Sequence, residues 1–553
     1  MRWTPEHKAA LSLAGAFIGS CVFVMAIERP VLRKERSATG AVPTISPRTC
    51  KAAVGDTIVV RSSGGGALGI AEGGAGAFVE NGDRAFIIAQ PDVREAARII
   101  SIPISLNWRH PLAGLPSAQV IRVAERDHRG RYGPDRLKTL LFADHGQLPV
   151  LSLALPNGAL FDPDSGLMVV GNGIFHASEK LLRIEYHDPK WWKYPGNFHL
   201  RGKAWERKGR VQFIGADGEE VFQSEVGVRI NGQMTRAFPQ HALRLDFASP
   251  VRADLFGEPV KEGYTEVVMR AAGNDQIKAM LRDAFQHELC KGLPFDVSGH
   301  RTCVVYINGA YWGVHHIRHR MDENELARRY GISAKNITIL EDEARFYRGD
   351  TLQTTAFKAL AARTADWDGT DPSWADSLAR SMDVDGFLSY MAAQMILCNV
   401  DWPEQNVKFW RYGGKKQDAP PLDGRWYFIM GDSDLGYGVA ADARTNMFSR
   451  VNAVDVPITK IFRGMMRDGK LRQRFIGIAR SLAKGPLSAT RSSAELERFI
   501  ALMAPEMERH TARWRRPADV SAWTVQLDVM RTFAREREAQ VLRQLDTFEQ
   551  SGN

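Results

Sequence analysis

NVDWPEQNVKFWRYGGKKQDAPPLDGRWYFIMGDSDLGYG, residues 399–438, decides how the rest of the chain is read. Two runs rich in aromatic and β-branched residues, 407–412 and 426–430, flank a polar Gly/Pro-rich turn, the pattern of a β-hairpin. Asp401 and Asn406 stand in the loop before the first run, and Asp432 and Asp434 follow the second. A hairpin brings its open ends together, so the spacing predicts Asp432 or Asp434 beside Asp401 and Asn406. Oxygen donors of this kind suit a divalent ion, which takes its remaining ligands from phosphate and water. Each half alone is ordinary, since Asp and Asn form turns and D-x-D recurs by chance. Their joint placement around one hairpin is what carries information.

Asp401 and Asn406, with four residues between them, have the spacing of the protein-kinase catalytic loop. There the Asp takes the acceptor hydroxyl proton and the Asn holds a metal. The segments Asn399-Val-Asp401-Trp-Pro-Glu-Gln-Asn406 and Asp432-Ser-Asp434-Leu-Gly-Tyr437-Gly438 resemble those of the CotH (spore-coat-protein-H-like) kinase family. The likeness covers roughly residues 140 to 545 and includes 162–171, a Trp-rich loop near Trp191-Trp192, and the W-E-R run ending at Arg207. It implies an α+β, atypical protein-kinase-like fold of the CotH type that uses ATP with Mg²⁺ or Mn²⁺. Under that resemblance Asp401 is catalytic and Asn406, Asp432 and Asp434 are metal ligands.

Residues 225–246 resemble the family's G-x-R-x-x-G and F-P-x-K-x-x-R-L run, two strands around a Gly-containing turn. The second strand is where a kinase keeps its phosphate-pairing Lys. Here His241 stands where many family members have Lys, so His241, Arg229 and Arg244 are the candidate nucleotide-binding cations. Residues 274–291 read as an amphipathic helix capped by Asn274, with Ile277, Met280, Leu281, Ala284, Phe285 and Leu289 on one stripe. In kinase order this helix supplies the acid that orients the phosphate-binding cation, for which Asp283 or Glu288 is the candidate. Residues 302–314 read as a strand, an Asn-Gly turn and a strand. His315 and His316 point to opposite faces of such a strand, which disfavours a metal site with His319.

The 553 residues are too many for one simple core, and 44% hydrophobic with 25% charged residues are globular proportions. The formal charge of +9 attracts anions, but no Lys/Arg-rich run with interleaved aromatics marks a nucleic-acid groove. Five cysteines at 21, 50, 290, 303 and 398 show no C-x-x-C spacing. They encode no zinc site; Cys290, Cys303 and Cys398 read as core residues, with room for one bridge such as Cys290 to Cys303.

Residues 1–28 form a signal peptide or membrane anchor, because 9–27 carry no charge behind a basic start. Residues 29–48 follow as a linker, 49–140 as a β-rich domain, 141–445 as the kinase-like domain, and 446–553 as its helical extension. The whole is expected to be exported, at the cell envelope or anchored to the membrane, and to act on a protein or envelope acceptor. Two other readings stand beside phosphoryl transfer: a non-catalytic envelope protein on the same fold, and a nucleotide-sugar transferase that holds a metal diphosphate through D-x-D.

Overall fold

The computed structural model describes residues 42–550 except 75, 176–189, 259 and 261. The expected export segment, residues 9–27, lies outside the described residues, among which no helix is long and apolar enough to cross a membrane.

The chain starts with short strands β1 (Thr44–Ser46), β2 (Thr57–Arg61), β3 (Leu68–Glu72), β4 (Val79–Asn81) and β5 (Arg84–Ile88), then helix α1 (Val93–Ile100). Strands β6 (Ala118–Glu125) and β7 (Arg136–Leu141) complete two small sheets, ordered β1-β2-β5 and β4-β3-β6-β7.

Next comes a closed barrel of β8 (Val150–Ala154), β9 (Arg207–Ile214), β10 (Glu220–Ile230), β11 (Leu243–Val251), β12 (Tyr264–Arg270), β13 (His300–Ile307) and β14 (Ala310–Arg318). Its order is β10-β11-β12-β14-β13-β8-β9. Alternation along the strands fills the interior with apolar side chains such as Val228, Leu245, Val267, Met269, Val305 and Ile317. The opposite parity turns Arg229, Arg244, Arg270 and Arg318 outward. Register sets them in one band, with Arg229 opposite Arg244, Arg244 opposite Val268, and Val268 opposite Arg318.

Helix α2 (Arg282–Leu289) joins β12 to β13. It begins later than the sequence pattern predicts, after a 3₁₀ turn at Gly273–Ile277, and Asn274 does not cap it. Seven of its eight residues are buried, because it is wedged between the barrel and the hairpin rather than lying on the surface.

Helix α3 (Glu323–Tyr330) leads to β15 (Ile337–Glu341) and β16 (Arg345–Arg348), then α4 (Leu352–Asp366), α5 (Pro372–Ser381) and α6 (Val384–Leu397). The hairpin β17 (Val407–Tyr412) and β18 (Trp426–Met430) occupies the predicted residues and closes a sheet ordered β16-β15-β17-β18. Helices α7 (Met447–Ala453), α8 (Pro457–Met465), α9 (Gly469–Lys484), α10 (Ala489–Trp514) and α11 (Val520–Gln550) finish the chain.

One core unites α2, α6, the hairpin and these last helices, from Ala272 to Leu545. Phe428 packs on Phe387 and Tyr390 of α6 at ring separations of 5.0 and 5.1 Å. Each buried ring of this kind contributes on the order of 2 kcal/mol, so the hairpin is held rigidly under the site. The mixed α+β class agrees with the sequence reading. Cys50, Cys290, Cys303 and Cys398 are buried and free; Cys290 and Cys303 belong to different cores, so they form no bridge.

Candidate functional site

Helix α6 stops at Cys398, whose left-handed backbone (φ 56°) turns the chain into the loop 399–406. Trp402, fully buried, pins that loop by donating its indole N–H to the Tyr390 hydroxyl at 3.1 Å. Asn406 is also left-handed (φ 63°), a conformation Asn adopts more readily than most residues. Its side-chain amide donates to Asp401 Oδ2 at 3.0 Å, which leaves its carbonyl oxygen as an acceptor. Across the hairpin, Val407 pairs with Met430, and Asn399 donates its amide N–H to the Asp432 carbonyl at 3.1 Å. The two ends meet as the spacing predicts.

The D-S-D tip is fixed from the other side by α2. Gln286 donates to the Ser433 carbonyl at 2.7 Å, and the Ser433 N–H donates to Asp283 Oδ1 at 3.1 Å. His287 accepts the Ser298 N–H on Nδ1, so its Nε2–H is the donor to the Gly431 carbonyl at 3.0 Å. Burial pushes this ring down to about 3, and it is neutral.

Asp434 is buried with 3% of its side chain exposed, whereas Asp432 keeps 31%. Asp434 accepts the Asn274 backbone N–H at 2.7 Å and an Arg270 N–H at 3.1 Å. Gly273 makes this approach feasible: it is left-handed (φ 57°), and a Cβ there would collide with the Asp434 carboxylate.

Arg270 lies among three carboxylates. It pairs with Asp432, with Asp434, and with Asp283 at 3.3 Å. Asp283 also pairs with Arg318. Burial by itself would raise the Asp283 carboxyl, but Arg318 and Arg270 outweigh it and hold the group well below the usual range. Asp434 goes the other way, raised well above its ordinary value by burial and then by the charge of Asp432. Asp401 is also raised, by burial first and by Asp432 among its neighbours.

Four carboxylates, Asp283, Asp401, Asp432 and Asp434, thus face two guanidiniums, Arg270 and Arg318. Arg450, near Asp401, is matched by Glu404 at 2.6 Å. The exposed Asp432 carboxylate, the buried Asp434 carboxyl and the amide oxygen of Asn406 offer the oxygen donors a divalent cation takes.

Of the four candidate nucleotide residues, Asp283 alone joins this cluster. His241 does not stand in for a phosphate-pairing Lys. Its ring is fully buried against Phe198, with Nδ1 2.8 Å from the Arg236 carbonyl and Nε2 3.1 Å from that of Ile104. Burial lowers it to about 4, so it is an uncharged wedge between backbone carbonyls. Arg229 and Arg244 share Asp246, and Arg244 also meets Glu266 at 2.5 Å. They line a pocket of about 210 Å³ with Arg201, Arg236, Arg320 and Trp205. Arg236, lowered to about 9 by burial and by Arg201 and Arg229, has only backbone carbonyls for partners. This pocket shares the outer barrel face with the acidic cluster; two strand spacings, about 10 Å, separate the backbones of Arg244 and Arg318.

Sequence reasoning missed Arg270 and Arg318. It gave the cation to β11, but the strand that feeds α2 is β12, and the signal was the outward parity of Glu266, Val268 and Arg270 ahead of the helix. His319 also stands close enough to Glu258 and Glu325 for the three to hold a metal ion. It accepts the Gly299 N–H on Nδ1, so the neutral ring carries its proton on Nε2 toward Glu258, and Arg328 already pairs with both carboxylates.

A family model described as CotH kinase protein matches residues 228–541, more than half of the chain. No curated relative matches it.

Proposed function

The chain belongs to the CotH kinase family, and from that membership we propose a phosphotransferase of atypical protein-kinase-like fold that moves the terminal phosphoryl group of ATP to a hydroxyl on a protein acceptor. The observation that supports this most is the meeting of Asp401–Asn406 with Asp432–Asp434 beside a guanidinium oriented by a helix carboxylate. Asn406, Asp432 and Asp434 would hold Mg²⁺ or Mn²⁺, which when bound would neutralise charge on the phosphates.

Arg270, oriented by Asp283, pairs with the phosphates in the role the β3 lysine has in protein kinases. The arginine pocket with Arg229 and Arg244 extends the positive field for the nucleotide along the same face. Asp401 accepts the hydroxyl proton as the acceptor oxygen bonds to phosphorus, while the bond to the bridging oxygen breaks and ADP leaves. Burial and the nearby Asp432 raise the proton affinity of Asp401, which suits a base. Residues 9–27 carry the chain out of the cytoplasm in this reading.

The non-catalytic alternative drew on the departure at His241 and on the scarcity of ATP outside the cytoplasm. Arg270 bears on the first, because a cation stands at the acidic tip whatever residue occupies 241. The test is transfer of radiolabelled terminal phosphate from ATP by the full chain with Mn²⁺, against Asp401→Asn. Label on protein from the wild type alone supports the reading; equal label, or none from either, refutes it.

A further inference from the structure

The hairpin has a second end, and a different pocket lies there. Strand β17 runs from the acidic cluster to Arg411, five residues or about 17 Å from Asn406. Around Arg411, helices α4 and α5 and the hairpin turn enclose about 360 Å³. Arg363, Arg380, Arg411 and Lys416 line it, over a floor of Trp374 and Trp426.

No carboxylate lines this pocket, and none of its four cations forms an ion pair among the described residues. Arg229, Arg328, Arg480 and Arg531, by contrast, each have acidic partners. Here Arg363 lies over the Trp374 ring at 4.1 Å, Arg411 donates to the Gln353 side chain at 2.8 Å, and Arg380 donates to the Ser377 hydroxyl at 3.0 Å. Asp350 acts on Arg411 from beyond ion-pair distance, and burial lowers the proton affinity of that guanidinium. The pocket therefore presents positive charge with no carboxylate in its lining, a field that favours an anion.

Trp374 is 7% exposed and lines the pocket beneath Arg363. Cations without acidic partners on one wall match a ligand rich in acceptor oxygens. Guanidinium forks match the oxygens of a phosphate. Ala356, Ala359 and Leu360 on the α4 side leave apolar room for the carbon group that bears it.

We propose that this pocket binds a phosphate-type dianion, at a site separate from the acidic cluster and whether or not the chain transfers phosphate. The source is a phosphorylated side chain of a protein or free phosphate, which share this chemistry. The experiment is calorimetric titration of the full chain, without divalent cation, with a phosphoserine peptide, the same peptide bearing serine, and inorganic phosphate.

The proteins compared are wild type, Arg363→Gln/Arg380→Gln/Lys416→Gln, and Asp432→Asn. The three substituted positions are exposed, so the triple variant keeps the fold. Wild type and Asp432→Asn bind the phosphopeptide alike, and the triple variant loses at least tenfold in affinity, as expected for charge-assisted hydrogen bonds. Phosphopeptide binding tighter than phosphate identifies a phosphoprotein source; equal affinities identify free phosphate. Equal binding by wild type and the triple variant, or no saturable binding by wild type at millimolar ligand, overturns the proposal. Because Asp432→Asn leaves this site intact, failure here and failure of phosphotransfer are read separately.

Discussion

Asp432→Asn separates charge from structure at the acidic tip. It removes one of three carboxylate partners of Arg270 but leaves Asp283 at 3.3 Å and Asp434 at 3.1 Å. Because the Asp432 side chain is 31% exposed, the lost pair is worth at most about 1 kcal/mol. An opposing gain comes from Asp434, whose carboxylate is raised by burial and then by the Asp432 charge, so removing that charge relieves it. The unliganded variant should therefore unfold within about 4 °C of wild type.

Binding should behave differently, since one negative charge and an exposed carboxylate oxygen are lost. At a ligand concentration one hundred times Kd, wild type gains about 2.7 kcal/mol, whereas a variant binding one hundred times more weakly gains only about 0.4 kcal/mol. Thermal unfolding with and without ATP plus Mn²⁺ measures both quantities. The same ligand-induced shift in both proteins, or no shift in wild type, refutes the assignment of Asp432.

Asp401→Asn should keep ATP–Mn²⁺ binding while phosphate transfer falls by about 10²- to 10⁴-fold, because the amide cannot take the hydroxyl proton; equal initial rates would remove Asp401 from the chemistry. The raised Asp434 makes the folded chain bind more protons than the unfolded one above the ordinary Asp range, so its contribution to stability without metal is lost as pH rises through that window. A cation competes with that proton, so stabilisation by Mn²⁺ alone should grow as pH rises above the ordinary Asp range, and a pH-independent shift in unfolding temperature would contradict the site. Gly273→Ala should cost about 1–3 kcal/mol in urea unfolding, since it strains a left-handed position and drives a methyl group into the Asp434 carboxylate. His241→Ala should destabilise by about 2–5 kcal/mol through a cavity and unpaired carbonyls yet leave nucleotide affinity unchanged; weaker affinity at unchanged stability would put the ring back at the phosphates.

The hairpin was legible from sequence because its signals are local. Alternating aromatic and β-branched residues set β17 and β18 at the predicted positions, and a hairpin has no choice but to bring residues 399–406 and 432–434 together. The Asn308-Gly309 turn between β13 and β14 and the helices beyond residue 446 were equally local. The proximity of Asp401 and Asn406 to Asp432 and Asp434 followed from the pairing of that hairpin.

What each charge faces was decided by tertiary structure. Asp432 and Asp434 are two residues apart and chemically identical, yet one is partly exposed and the other buried, because the turn before α2 closes over Asp434 alone. Arg270 looked like any strand arginine until barrel closure turned it outward and α2 delivered Asp283 to it. His241 has the sequence neighbours of a phosphate-binding residue, but carbonyls from residues 104, 168 and 236 converge on it from distant parts of the chain. Local periodicity specifies which elements form, whereas desolvation and ion pairing depend on groups far apart in sequence, and so the roles of these side chains are fixed only when the barrel, the helix and the hairpin pack together.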